Sequence, residues 1–202
     1  MEAFLRVLLP RFLPAECSIA IHAFQGKSDL IGKLPDRLRG YAAWLPKHWR
    51  IIVVVDRDDD DCQVLKAGLE LIAEKAGLRT RTGYRTGWRI ANRIAIEELE
   101  AWYFGEWDAV RLAFPRVARK VTRQKAYRNP DAIVGGTWEA FERVLRRHGY
   151  FAAGLRKLEA ARTIAEHFDP ARATSGSYRV FHEAVLEAAN VEPPRNSGDD
   201  FA

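Results

Sequence analysis

Residues 51–61 read Ile-Ile-Val-Val-Val-Asp-Arg-Asp-Asp-Asp-Asp. The five consecutive β-branched residues predict a strand buried on both faces, of the kind found inside a parallel sheet. That strand runs straight into Asp56 and Asp58, and open α/β sheets bind ligands at the carboxyl ends of their strands. Two carboxylates one residue apart can offer oxygens to a single hard cation. Mg²⁺ takes one or two protein carboxylates together with substrate phosphates, so Asp56 and Asp58 are candidate metal ligands and catalytic residues. The competing role is helix capping, with Asp61 as N-cap and its acidic neighbours favoured by the dipole. Capping uses one or two acids, and this run holds more.

A second acidic group, Glu97, Glu98 and Glu100, follows the apolar stretch Trp88–Ile96. If that stretch is a strand beside the first, Glu97 stands at its carboxyl tip. Glu97 or Glu98 can then complete a metal site or serve as general acid or base. Glu97 and Glu100 would share a helical face at i, i+3, and Glu100 reads as structural. The alternative is that all three decorate a helix N-terminus. Lys27, in Gln25-Gly26-Lys27-Ser28, opens a helix at the same sheet edge, where phosphate is favoured. The upstream glycine of a Walker motif is absent.

Two basic stretches lack any acid. Arg79, Arg81, Arg85, Arg89 and Arg93 form the first. The second runs from Arg111 through Arg116, Arg119, Lys120, Arg123 and Lys125 to Arg128, with Phe114 and Tyr127 among them. Clustered cations suit phosphate contacts, and interleaved aromatics can stack on unpaired bases. Lys27, Arg119, Lys120, Arg123 and Lys125 are therefore candidate nucleic-acid ligands, DNA or RNA. Charge runs also serve simply as solvated faces.

The elements that must position these residues follow from hydrophobic period. Residues 2–13 predict a helix, 18–24 a strand, and 27–45 a helix capped by Ser28 and interrupted or restarted at Pro35. After the 51–55 strand, 61–76 predict a helix closed by Gly77, and 88–96 a third strand leading into a helix through Phe104. Alternation of this kind implies a parallel sheet with helices on both faces. Beyond residue 106 only helices are expected, at 106–114, 137–147, 156–168 and 177–189. The expected organisation is an α/β core over 1–105, a helical C-terminal extension over 106–190, and a disordered tail over 191–202.

Composition narrows the class. The 202 residues carry a net charge of +5 and a pI near 9.4, which permits a polyanionic partner. Cys17 and Cys62 stand alone, so neither a disulfide scaffold nor a zinc site is indicated. The five histidines show no metal-ligand spacing, and the six tryptophans are expected to fill helix contacts. No apolar run reaches a membrane span and no signal segment opens the chain, so a cytoplasmic protein is expected, without a membrane partner. The chain opens inside a helix with no N-cap or preceding strand, so a first strand is expected upstream of Met1.

The chain resembles a bacterial family of Toprim-like proteins catalogued as a domain of unknown function. The resemblance rests on Glu2-Ala3-Phe4-Leu5, Phe24-Gln25-Gly26-Lys27, Val53-Val54-Val55-Asp56-Arg57-Asp58 and Ile96-Glu97-Glu98-Leu99-Glu100-Ala101-Trp102. It continues through Gly135-Gly136-Thr137-Trp138-Glu139 and the helix holding Lys157, Ala160, Ala161, Ile164 and Ala165, to about residue 182. It implies a Toprim-like open parallel sheet that binds Mg²⁺ or Mn²⁺ and acts on phosphodiesters, as in the overcoming-lysogenization-defect nucleases. The Toprim Asp-x-Asp falls on Asp56 and Asp58, while its first-strand glutamate has no counterpart here. Three readings stand: a metal-dependent nuclease or phosphotransferase, with anti-phage defence as one setting for it; a catalytically silent subunit binding nucleic acid or a partner ABC-type ATPase; and an unrelated doubly wound phosphohydrolase.

Overall fold

The computed structural model describes residues 1–190; the tail expected to be disordered, 191–202, lies outside the described residues. The elements, in order, are α1 (Glu2–Phe12), α2 (Lys27–Trp44), β1 (Ile51–Asp56), α3 (Cys62–Lys75), β2 (Ile90–Ala95), α4 (Glu100–Gly105), α5 (Trp107–Ala113), α6 (Thr137–Arg147), α7 (Lys157–His167) and α8 (Gly176–Ala188). Single 3-10 turns lie at Val121–Arg123, Pro130–Ala132 and Pro170–Arg172. The fold is mixed α/β, with a small open parallel sheet flanked by helices and a helical C-terminal half.

The sheet has two described strands. β1 pairs with β2 in parallel, Ile51 opposite Ile90 through Asp56 opposite Ala95. The pairing runs past the strand ends, where the Arg57 N–H donates to the Ala95 carbonyl (2.9 Å) and the Asp58 N–H to the Glu97 carbonyl (3.1 Å). Side chains alternate across a strand. Val53 and Val55 accordingly enter a core with Leu30, Leu34 and Leu38 of α2 and Leu65, Leu69 and Ala73 of α3. Ile52 and Val54 pack against the larger helical core on the opposite face. Asp56 has the parity of Ile52 and Val54.

The larger core joins α1, α4, α6, α7 and α8. Phe4 lies against Trp102, Tyr103 and Phe168, and Trp102 stacks on Phe181 (5.1 Å, 27°). It spans residue 105, so α1 from the first half of the chain packs on α7 from the second. Three tryptophans, Trp88, Trp102 and Trp107, fill the interior as expected, whereas Trp44 is exposed. Both cysteines are free.

Several expectations need correction. Residues 18–24 form no strand: they make no backbone ladder bonds among the described residues. Their apolar side chains lie across the two cores instead, Ile21 on the larger and Phe24 on the smaller, while Ile19 stays exposed. Pro35 does not interrupt α2. It removes only one helical N–H, and Leu30, Leu34 and Leu38 form a stripe at i, i+4, i+8 that anchors both halves in the core. Ser28 is not the cap. Gly26 takes that position at φ +91°, and the Asp29 carboxylate accepts from the Gln25 N–H (3.0 Å). The expected caps of α3 hold. Asp61 accepts from the N–H groups of Gln63 (2.8 Å) and Val64 (2.9 Å), and Gly77 follows its end at φ +75°.

Candidate functional site

The carboxyl ends of β1 and β2 lie side by side, so the two acidic groups meet at one sheet edge. Each carboxylate has a different fate there. Asp56 is largely buried and its Oδ1 has no hydrogen-bond partner. Asp58 leaves strand geometry at φ +49°, where period-two alternation no longer applies, and its carboxylate meets Lys27 Nζ (2.8 Å). Asp60 meets the same ammonium (2.7 Å), which also donates to the Arg57 carbonyl (2.8 Å). Lys27 thus faces carboxylates at the expected edge.

Glu97, also at positive φ (+60°), pairs with the Arg57 guanidinium. Helix α4 begins only at Glu100, so Glu97 and Glu100 do not share a helical face as expected: the turn at Glu97 separates them. Glu98 accepts through Oε2 from the Thr137 hydroxyl (3.1 Å) and the Trp138 N–H (3.0 Å), satisfying the start of α6. Glu100, expected to be structural, is only 7 % exposed and makes no hydrogen bond to another residue's side chain.

Burial pushes the Asp56 carboxyl up to about 6; the charges of Asp58 and Glu98 add to this, while the amino terminus and Lys157 oppose it. Burial likewise pushes Glu100 up to about 7, opposed by Lys157 and reinforced by Glu98 and Asp56. Glu98 and Lys157 act on both carboxyls, and Asp56 acts on Glu100, so the three acids share one electrostatic neighbourhood whose cations are Lys157 and, at Asp56, the amino terminus. Burial also raises the Tyr103 hydroxyl, and Glu100 and Asp56 raise it further. Mutually repelling carboxylates held out of water are a mark of functional sites.

Carboxylate oxygens suit a hard cation, and the free Asp56 Oδ1 fits that role. As the side chains stand, no group of three or more His, Cys, Asp or Glu residues among those described is arranged to hold a metal ion. The contacts say why. Asp58 is held by Lys27, Glu97 by Arg57 and Glu98 by the start of α6, while the buried Asp56 Oδ1 has no partner and Glu100 has none in another residue's side chain.

The sequence reading missed Lys157 and Trp138. Lys157 Nζ lies 4.1 Å from the centroid of the Trp138 ring, whose backbone N–H is bonded to Glu98. Lys157 also lines a cavity of about 660 Å³ with Leu155, Arg156, Leu158 and Arg162. Both lie in segments that carry the family resemblance, Trp138 in Gly135–Glu139, whose two glycines at φ +83° and +82° set up the turn into α6, and Lys157 in the later helix.

The basic stretches divide. In the first, Arg93 is buried, Arg89 donates to the Leu45 carbonyl (3.0 Å) and Arg81 pairs with Glu187, so these side chains brace β2 against its neighbours. In the second, Arg116 stacks on Tyr150 and bonds the Gly149 carbonyl (2.6 Å). Arg119, Lys120, Arg123 and Lys125 are exposed and make no ion pair among the described residues. Arg119 and Arg123 line a second cavity of about 240 Å³ with Thr122 and Arg172. Phe114 and Tyr127 are not available for stacking on bases. Both are buried, with Tyr127 stacked on Phe104 (5.1 Å, 16°), and they pin this stretch to the core.

Fold and site together define an α/β protein with a carboxylate-rich edge on a small parallel sheet. A family model described as Domain of unknown function (DUF4276) matches residues 1–185, and the chain belongs to that family. No curated protein and no solved structure matches it. Among the described residues no helix is long and apolar enough to cross a membrane.

Proposed function

We propose that the protein is a Toprim-like, divalent-metal-dependent nuclease or phosphotransferase acting on nucleic acid. The observation that carries this reading is the Asp56 carboxylate, buried with an unpartnered oxygen beside Glu98 and Glu100 at the carboxyl edge of the sheet. Asp56 would hold Mg²⁺ or Mn²⁺, which supplies charge neutralisation at a phosphate oxygen and a more acidic bound water. Glu100, at about 7, is poised to take a proton from the attacking oxygen or return one to the leaving oxygen near neutral pH. Lys157 offers its ammonium to a phosphate beside those carboxylates, and Arg156 and Arg162 continue the positive surface along the same cavity. The unpaired Arg119, Lys120, Arg123 and Lys125 supply further phosphate contacts.

The test is a cleavage assay with Mn²⁺ or Mg²⁺ on single- and double-stranded DNA and RNA, comparing wild type with Asp56→Asn. Metal-dependent cleavage that drops by about a hundredfold or more in Asp56→Asn is expected, as for loss of a charged group at a reacting centre. Metal binding and oligonucleotide binding with no cleavage of any substrate would point instead to the silent subunit.

A further inference from the structure

β1 turns half of its backbone groups away from β2. The Ile51 and Arg57 N–H groups donate to the Arg89 and Ala95 carbonyls (2.9 Å each). The N–H and C=O of one strand residue point the same way and successive residues alternate, so Val53 and Val55 also face β2. Ile52, Val54 and Asp56 face the other side, and among the described residues no backbone group bonds to them there. Residues 18–24 lie across this opening. Ile21 packs on the larger core, whereas Phe24 packs on the smaller one and His22 approaches Tyr41, which borders the smaller core (6.2 Å between rings). Their side chains thus alternate between the two cores as those of β1 do. Just beyond Phe24, Lys27 bonds the Arg57 carbonyl at the carboxyl end of β1 (2.8 Å). The segment therefore runs in the plane of the sheet and ends where β1 ends, yet no backbone bond joins the two. Two extended segments in one plane with no ladder between them leave a gap. The amino end of α1 stands at the carboxyl end of that gap: Met1 packs on the larger core, and the terminal ammonium acts on the Asp56 carboxylate.

We propose that the gap between residues 18–24 and β1 seats a further strand, parallel to β1, contributed by polypeptide joined to the amino end of α1. A strand in that direction finishes at the carboxyl edge of the sheet, where α1 starts, so a short turn connects the two. Both cores border the gap, so the strand is apolar on both faces, like β1 itself. It pairs with Ile52, Val54 and Asp56 on one side and with residues 18–24 on the other. Those residues hold an extended course without a ladder because their partner is this strand. Unpaired backbone groups beside apolar cores cost stability and invite association, and the added strand removes both liabilities. A second copy or a separate chain in the gap would lack the connection to α1. The proposal is independent of the metal reading.

Amide hydrogen exchange of the 202-residue chain, with its mass in solution measured by light scattering, tests the gap. The Ile52, Val54 and Asp56 amides are expected to exchange at least about a hundredfold faster than those of Val53 and Val55. Equal protection of all five in a monomer would show a closed edge, and in a dimer it would make the second copy the occupant; either result overturns the proposal. A variant with a valine- and isoleucine-rich strand as long as β1 (6 residues) and a short polar turn ahead of Met1 tests the occupant. The Ile52, Val54 and Asp56 amides should then slow by at least about a hundredfold, with Tm higher by at least about 5 °C. Unchanged exchange, or equal protection by a glycine- and serine-rich extension of the same length, would overturn the strand. Protection by the apolar strand added as a free peptide but not by the fused one would place its source in another chain and overturn the connection to α1.

Discussion

Near pH 8 and without metal, Asp56→Asn and Glu100→Gln will each make the protein more stable than wild type. Both carboxyls have folded-state values raised above the ordinary ones, Asp56 from 3.8 to about 6 and Glu100 from 4.5 to about 7. The folded state thus holds its protons more tightly than the unfolded chain does. For an acid shifted in this direction, no stability is lost below the unfolded value. The loss grows as pH rises between the unfolded and folded values and is complete above the folded one. Two pKa units or slightly more correspond to about 3 kcal/mol for each group, and the two are less than additive because the Asp56 charge contributes to raising Glu100. Neutral isosteres remove the cost. The variants should therefore exceed wild type by about 2–3 kcal/mol near pH 8 and match it within about 0.5 kcal/mol near pH 4. Urea unfolding at the two pH values measures this. Variants that are less stable than wild type throughout would mean that the carboxylates are favourably paired in the fold.

Trp102→Ala will cost about 3–5 kcal/mol, the range for truncating a large buried aromatic. The ring is fully buried, stacks on Phe181, meets Tyr178 edge-on at 5.2 Å, and donates through Nε1 to the Ser177 hydroxyl (3.0 Å). Trp102 sits two residues beyond Glu100 on the short helix α4 and fixes that helix against α8. Its loss should loosen the carboxylate edge as well as the core. Trp102→Phe keeps most of the packing and loses the N–H, so about 1 kcal/mol is expected. Thermal melts of the two variants check both figures. A mild Trp102→Ala would show that α4 is held by something other than this aromatic cluster.

Much of the site's frame was legible. The β-branched run predicts β1, alternating strands and helices imply a parallel sheet in which the structure pairs β1 with β2, and Asp61 caps α3 because an Asx at that position can reach two free N–H groups. What the sequence does not show is where each carboxylate points. Asp56 and Asp58 read as a pair because strands alternate, but Asp58 and Glu97 both adopt positive φ, which reorients them toward Lys27 and Arg57. Glu98 reads as a catalytic candidate and is bonded to the start of α6, forty residues away in sequence, through contacts no local pattern encodes. Glu100 reads as structural, yet it is among the most perturbed acids at the edge. Residues 18–24 have a strand's composition and no strand's pairing. Composition sets a propensity, whereas a ladder needs a neighbouring edge.

On the proposed function, the carboxylate edge around Asp56, Glu98 and Glu100 binds a divalent cation. Titration calorimetry of Mg²⁺ and Mn²⁺ into wild type and Asp56→Asn near pH 8 tests it most directly. Weak but saturable binding to wild type, absent in Asp56→Asn, is expected. Equal binding by the two proteins, or no binding by either, would contradict it.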